Sequence, residues 1–512
     1  MTPRHILLLV SSLLLAPLNA ADLKLSSVFS DHMVLQREMP VPVWGWADPG
    51  QKVTVEFAGQ TKSATADAGG KWVVNLEAMP ASSEPQTLKV NALTIADVLV
   101  GEVWLCTGQS NMEWALSKAD GAAEAIAASG NPLLRMGRVP HNVQFTPQDD
   151  VKVKWEVSDP ASAKSFSALP YWFGSKLQKE LGVPVGILNS AFGGTSIQSW
   201  MPAETLKNGP WPQDRWSDLK QAKEEYDRKA EAARPIKEKY EADKADALAR
   251  KLPAPPQPAG LVSEFKGVTT LWNGEVVPLL PFRIRGVAWY QGESNAYVQC
   301  ARDYKDLLPA MIKDWRKGFG DPDLPFLIFQ IARFRVWQTD PNEASGIAEL
   351  QEAQVKTALA TPHAALVVTT DMGGPDVHYP GKEPIAERGL KAALAIAYGR
   401  KGDWGSPIFQ GVKFQKGRAI VSFSNTTGGL VAKDGDLKGF VIAGADRKFV
   451  FADAKIEGET VIVSSPQVPV PAAVRYGWAD LPQVNLFNQA GLPASTFRTD
   501  DWPLSTANSQ IK

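Results

Sequence analysis

Ser110 stands at a corner of the chain. In Val103–Trp114 (VWLCTGQSNMEW) an apolar run stops at Gly108-Gln109-Ser110-Asn111 and resumes at Met112-Glu113-Trp114. A serine on such a turn can act as a nucleophile, but its hydroxyl is weak at its free pKa and needs a base beside it. Histidine is the usual base, and the chain has five. His5 lies in the N-terminal apolar segment, and His32 lies in an all-β stretch (SDHMVLQ). His141 follows Pro140 in a loop without a nearby partner in sequence, and His363 precedes a strand, where a structural role fits better. His378 remains, in TTDMGGPDVHYPGK. It lies on the carboxyl side of a buried strand, where active residues of parallel sheets gather. Asp376 is two residues away and Asp371 ends the strand itself, so an acid is at hand to hold His378 in the right tautomer and complete a triad with Ser110.

Acyl transfer also needs donors aimed at the developing oxyanion. Three loops offer them: the Ser110 N–H; Gly193-Gly194 in NSAFGGTSIQSW, where bare backbone can approach a ligand closely; and WYQGESNA, where Gln291 and Asn295 carry side-chain amides. Gln109, Asn111, Trp114, Trp200 and Glu293 flank these motifs and are the candidate substrate-binding residues; Trp114, Trp200 and Trp289 fit either a sugar platform or core packing. Glu113 and Glu293 admit a rival reading as the paired carboxylates of a glycosidase. Both lie beside amide- and serine-bearing motifs that such a pair would leave unexplained. The lipase pattern Gly-x-Ser-x-Gly fails at its second glycine, because Asn111-Met112 follows Ser110. No Cys/His cluster has metal-ligand spacing, so neither a metal nor a cofactor is expected.

These residues need a scaffold. From about Val98 to Arg400, short buried strands (VLVGEVWLCTG, VPVGILNSA, IRGVAWYQG, LPFLIFQIA, AALVVTTDM) alternate with helical patterns such as ALPYWFGSKLQKEL and YKDLLPAMIKDWRKGF. Such alternation predicts an α/β domain with a parallel sheet covered on both faces. Residues 22–97 read as a small β-sandwich, with turns at ADPGQ and DAGGK. Residues 404–512 read as a second all-β region. The domain between them, 98–403, carries a charged helical insertion at about 203–260. There, Leu219, Ala222, Tyr226, Ala230 and Ala233 share a face, Pro235 should kink or break the helix, and LPAPPQPAG makes a stiff connector. A solvated arm is the favoured reading of this block, with a lid over the site as the alternative.

The 512 residues suggest two or three domains, and 44% hydrophobic with 21% charged residues is ordinary for a soluble globular chain. The net charge of -1 gives no electrostatic reason to bind nucleic acid or an anionic membrane, and neither is expected as a partner. MTPRHILLLVSSLLLAPLNA reads as a secretory signal peptide, residues 1–21, too short for a membrane span, so export to a periplasm or beyond is expected. An oxidising compartment permits a disulfide between Cys106 and Cys300, although Cys106 in its apolar strand reads as a buried thiol. Oligomeric state leaves no mark on the sequence.

LCTGQSNMEW, GGTSIQSW, GVAWYQGESN and DVHYPGK resemble, in this order, the blocks of the sialate O-acetylesterase group of SGNH hydrolases. VFSDHMVLQREMPVPVWGWADPG and LWNGEVVPLLPFRIRG are similar to further stretches of that group, so the likeness runs from about Val28 to Arg388. The resemblance implies a three-layer α/β/α domain flanked by all-β regions, and a secreted, metal-free serine esterase that removes O-acetyl groups from sugars. It implies Ser110 as nucleophile, His378 as base, and Gly193 or Gly194 with an amide of the QGESN block as the oxyanion hole. Many members place the acid three residues before the histidine, where this chain has Pro375. Asp376, Asp371 behind it, or a backbone carbonyl would then orient His378. The expected substrate is an acetylated saccharide: plant polysaccharide such as xylan or xyloglucan, or sialic acid, whose carboxylate calls for a bidentate arginine such as Arg283, Arg285 or Arg333. An inactive carbohydrate-binding protein on the same fold is the alternative.

Overall fold

The computed structural model describes residues 23–211, 219–250, 252, 255–262, 265–297 and 301–504. The leader expected over 1–21, Cys300, and Trp216 at the start of the charged block lie outside them. So do Lys251 at the end of that block and Pro253 and Ala254 of the connector. Cys106 is a free, buried thiol whose burial pushes its pKa far up.

The central sheet is built from β1 (Leu93–Gly108), β2 (Asn131–Arg138), β3 (Lys154–Ser158), β4 (Val185–Ala191), β5 (Gly286–Tyr290), β6 (Phe326–Phe329) and β7 (Ala364–Val367), in the spatial order β3-β2-β4-β1-β5-β6-β7. Every neighbouring pair is parallel except β2 and β3. The strands are nearly continuous apolar runs because both faces are covered. On one face, Trp104 of β1 packs edge-on against Phe173 of α2 (Ala168–Leu181), and its indole N–H donates to Tyr398 of α8 (Lys382–Tyr398). On the other, Trp289 of β5 donates to Tyr304 of α6 (Ala301–Phe319), against which α7 (Gly346–Ala360) packs.

The boundary expected near 97/98 falls inside one strand. The first half of β1 pairs with Val34–Gln36 and Ser82–Val90 of the N-terminal β region, and its second half forms the middle of the central sheet. The N-terminal strands alternate buried and exposed residues, as in Lys52–Phe57 and Lys71–Leu76. Their buried set merges with that of the α/β region into one core. The C-terminal β region instead has its own core around Phe423, Phe440, Tyr476 and Phe497. It is tied to α7 by Thr496 donating to Gln351 (2.8 Å) and by Arg498 pairing with Glu352 (3.0 Å).

The insertion forms α3 (Leu219–Ala232) and α4 (Arg234–Ala249), exposed over most of their length and laced with ion pairs such as Lys239–Asp243. Pro235 sits in the first turn of α4, where its missing N–H has no helical partner to lose. Tyr226 brings α3 against the ring of Phe265, 5.2 Å between centroids.

Candidate active site

The sheet register converges three loops. Gly108 at the end of β1 lies between Ala191 of β4 and Tyr290 of β5. Gly108 has φ +137°, and a Cβ there would run into the Tyr290 carbonyl oxygen, so only glycine fits. Gln109 N–H then donates to Tyr290 O (3.0 Å), and the chain turns into α1 (Ser110–Glu113) with Gln109 at its N-cap. The Ser110 N–H is thus one of the first-turn donors that a helix leaves without an internal partner. Gly193 is packed so tightly that a Cβ would come within 3.1 Å of both Ser110 Cβ and a Glu113 carboxylate oxygen.

A cleft of about 910 Å³ opens over this point, lined among others by Ser110, Glu113, Trp114, His141, Asn189 and His378. Ser110 and His378, distant in sequence, therefore face one space. His378 Nδ1 lies 3.4 Å from Asp376 Oδ1, which also accepts the His378 backbone N–H at 2.6 Å. Asp371 is engaged elsewhere, in a two-pronged pair with Arg388 at 2.7 Å per contact. Burial, helped by the charges of Lys382 and Lys118 and opposed by Asp376, holds the His378 imidazole below the ordinary histidine value. It is therefore neutral near pH 7 and able to accept a proton. The ring of Trp114 stacks on that of His378.

Several expectations need correction. Gln291 is fully buried, and its amide donates to Gln109 (3.1 Å), Thr195 O (3.0 Å) and Asn295 (2.8 Å). Asn295 is buried too, accepting from Ile197 N–H (3.0 Å) and donating to Gln198 (3.1 Å). Both amides brace loops against each other and are not available to an oxyanion. Gln109 turns inward, accepting from the N–H groups of Gly292 and Ser294. Trp200 is 0% exposed, donates to Thr195 and stands edge-on to Trp289, so neither indole is a sugar platform. Asn111 and Glu293 are buried and bound to one another, and neither lines the cleft. The physical reason is common to all. Loops that close over a buried sheet end must pair their backbone donors and acceptors, and the nearest polar side chains do it. Among the named substrate-binding residues, Trp114 lines the cleft.

Gly193 is also differently employed. Its N–H donates to Glu113 Oε2 at 2.7 Å, while Glu113 Oε1 lies 3.0 Å from His141 Nε2. The His141 ring stacks on Phe192, 3.7 Å between centroids. Burial works to raise the Glu113 carboxyl and lower the His141 imidazole. Their mutual hydrogen bond and charge outweigh it, so Glu113 is held below and His141 above its ordinary value. Gly194 lies in the left-handed region at φ +70°, where a Cβ would meet Lys266 Nζ at 3.3 Å. His141 was missed for want of a sequence neighbour. It nevertheless follows β2 by three residues at the carboxyl end of a parallel strand, the same criterion that singled out His378.

The three arginines lie elsewhere: Arg285 on Glu102 (2.8 Å), Arg283 on Phe319 O (2.9 Å), and Arg333 buried on Pro482 O. The cations that do line the cleft are Lys118, Arg138, Lys152 and Lys154, of which Arg138 and Lys154 share Glu156. Among the described residues no group of three His, Cys, Asp or Glu side chains is placed to hold a metal ion, and no helix is long and apolar enough to cross a membrane.

The chain as a whole is similar to known proteins. Residues 100–231 and 272–393 match the family model "Carbohydrate esterase, sialic acid-specific acetylesterase". The chain is 28% identical over 418 residues to sialate O-acetylesterase of Mus musculus, covering 74% of each chain. It is 27% identical over 415 residues to that of Homo sapiens, covering 74% of this chain and 72% of the relative. A crystal structure of a carbohydrate acetylesterase from Xanthomonas citri superposes with a TM-score of 0.79 at 36% identity, covering 94% of this chain and 100% of that one.

Proposed function

The chain belongs to the carbohydrate esterase family of sialic acid-specific acetylesterases, and from that premise we propose that it removes O-acetyl groups from carbohydrates through an acyl-enzyme on Ser110. The Ser110 hydroxyl attacks the acetyl carbonyl while His378 takes its proton, and His378 returns that proton to the departing sugar alcohol. Water, deprotonated by the same imidazole, then releases acetate. Asp376 orients His378. The Ser110 N–H and the Gly193-Gly194 loop face the oxyanion, with Gly194 as the second donor because Glu113 occupies the N–H of Gly193. The observation that carries this reading is the shared cleft of Ser110 and a neutral His378.

The parallel sheet with helices on both faces and a site at its strand ends supports the three-layer SGNH arrangement. The segment MTPRHILLLVSSLLLAPLNA supports export. N-terminal sequencing of protein recovered outside the cytoplasm should begin near Ala21, and a chain still starting at Met1 would argue against it.

Acetylated xylan or xyloglucan fits a neutral reading of the substrate. The Lys118 and Lys152 ammonium groups at the cleft favour a second, an acidic sugar such as sialic acid. An acetate-release screen over acetylated xylan, xyloglucan, pectin and sialic acid, with Ser110→Ala as control, separates these. Saccharide binding with equally negligible turnover in both proteins would leave only a carbohydrate-binding role.

A further inference from the structure

Asn111, the residue after Ser110, is 0% exposed and has every polar atom of its amide in use. Its Nδ2 donates to Val377 O at 3.0 Å and to Glu293 Oε1 at 2.5 Å, and its Oδ1 accepts from Lys382 Nζ at 2.5 Å. A carbonyl cannot donate, so Val377 O requires the Nδ2 side and the amide has one workable orientation. Val377 O and the His378 N–H are the two ends of one peptide plane. The first end is held by Asn111 and the second by Asp376 Oδ1. That plane sets where the His378 side chain leaves the backbone.

The partners of Asn111 come from the other two loops of the site. Glu293 opens α5 (Glu293–Tyr297) after β5, and Lys382 opens α8 after the His378 loop. Both are buried, and Glu293 Oε2 has no hydrogen-bond partner among the described residues. Burial pushes the Glu293 carboxyl up and the Lys382 amine down to about 7, so this buried pair is a poor source of stability. What this one does is fix a single amide beside the nucleophile.

We propose that Asn111, oriented by Lys382 and Glu293, is a positioning residue that holds the His378 loop in register with Ser110. The proposal rests on the reading of His378 as the base for Ser110. Asn111 does not line the cleft. Its effect is on the distance and direction between hydroxyl and imidazole, where a misplacement of ~1 Å costs about 100-fold in rate.

The test measures kcat and KM on an aryl acetate for the full chain and for Asn111→Ala, Lys382→Met and His378→Ala, each with and without added imidazole, and checks folding by thermal melting. Asn111→Ala should lose about 100-fold in kcat with KM little changed. Imidazole should recover part of the loss, as in His378→Ala, because a free base can stand in for a misplaced one. Full kcat in a folded Asn111→Ala, with His378→Ala inactive, overturns the positioning role while leaving His378 as base. A loss that imidazole does not relieve also overturns it, since the damage is then general. An active His378→Ala brings down the reading of the base, and this proposal with it. Should Asn111→Ala fail to fold, Lys382→Met decides. It keeps the side-chain volume and removes the hydrogen bond to Asn111 Oδ1, and unchanged kcat there refutes the proposal.

Discussion

The imidazole of His378 lies face to face on the indole of Trp114, ring centroids 4.8 Å apart and planes inclined by 21°. Trp114 follows the last residue of α1, so the ring that supports the histidine comes from the same turn as Ser110. Its indole N–H is tied to Lys118 O at 3.1 Å, which fixes the plane on which His378 rests.

Replacing that platform should act on turnover. An aromatic stack contributes about 0.5–1.5 kcal/mol, so Trp114→Ala should lower kcat on an aryl acetate by about 2- to 10-fold, with Trp114→Phe recovering most of it. If instead KM for a polysaccharide rises at constant kcat, Trp114 serves the sugar and not the histidine.

The pH dependence follows from the sign of the His378 shift. A base works when neutral, and this one is held below 6.5, so activity should persist under pH 6.5 and fall as pH drops through the lowered value. Lys118→Gln removes a cation that lowers it and should move the acid limb of kcat/KM upward. Asp376→Asn removes the charge that raises it and should move the limb downward while reducing kcat. A limb that ignores both substitutions belongs to another group.

Glu113 and His141 make a stability prediction with a bounded window. The contribution of Glu113, whose pKa is depressed, is complete above 4.5 and lost as pH falls through the folded value. That of His141, whose pKa is raised, is complete below 6.5 and lost as pH rises through the folded value. The melting temperature of Glu113→Gln should therefore lag the parent most between pH 4.5 and 6.5. A lag that is flat from pH 4 to 9 would show that the pair is not ionised as described.

Trp200 should behave as core. Trp200→Ala is expected to cost about 3–5 kcal/mol in unfolding free energy, read from denaturant titration, with KM of the surviving folded enzyme unmoved. A well-folded variant with weakened substrate binding would return Trp200 to the cleft.

Much of the scaffold was legible because its signals are local. Apolar strands alternating with amphipathic helices dictate a parallel sheet, and Gly108-Gln109-Ser110 marks a turn whose glycine is required by φ. Elimination among few histidines brought His378 forward from chain position alone. The N-terminal boundary was not legible, because β1 carries an apolar run straight through it and belongs to both sheets. His141 was passed over because Glu113 and Phe192 reach it from the ends of other strands.

The sequence by itself determined which backbone positions fall at strand ends and which side chains there can do chemistry, since periodicity and turn residues act over a few neighbours. It did not determine where those side chains point. The amides of Gln291 and Asn295 carry the right chemistry and face inward, the Gly193 N–H is taken by Glu113, and Trp200 is sealed in the core. Only the tertiary structure decided these. The direction of a loop side chain is set by whichever unpaired donor, acceptor or apolar surface the fold brings beside it, and those partners lie far along the chain.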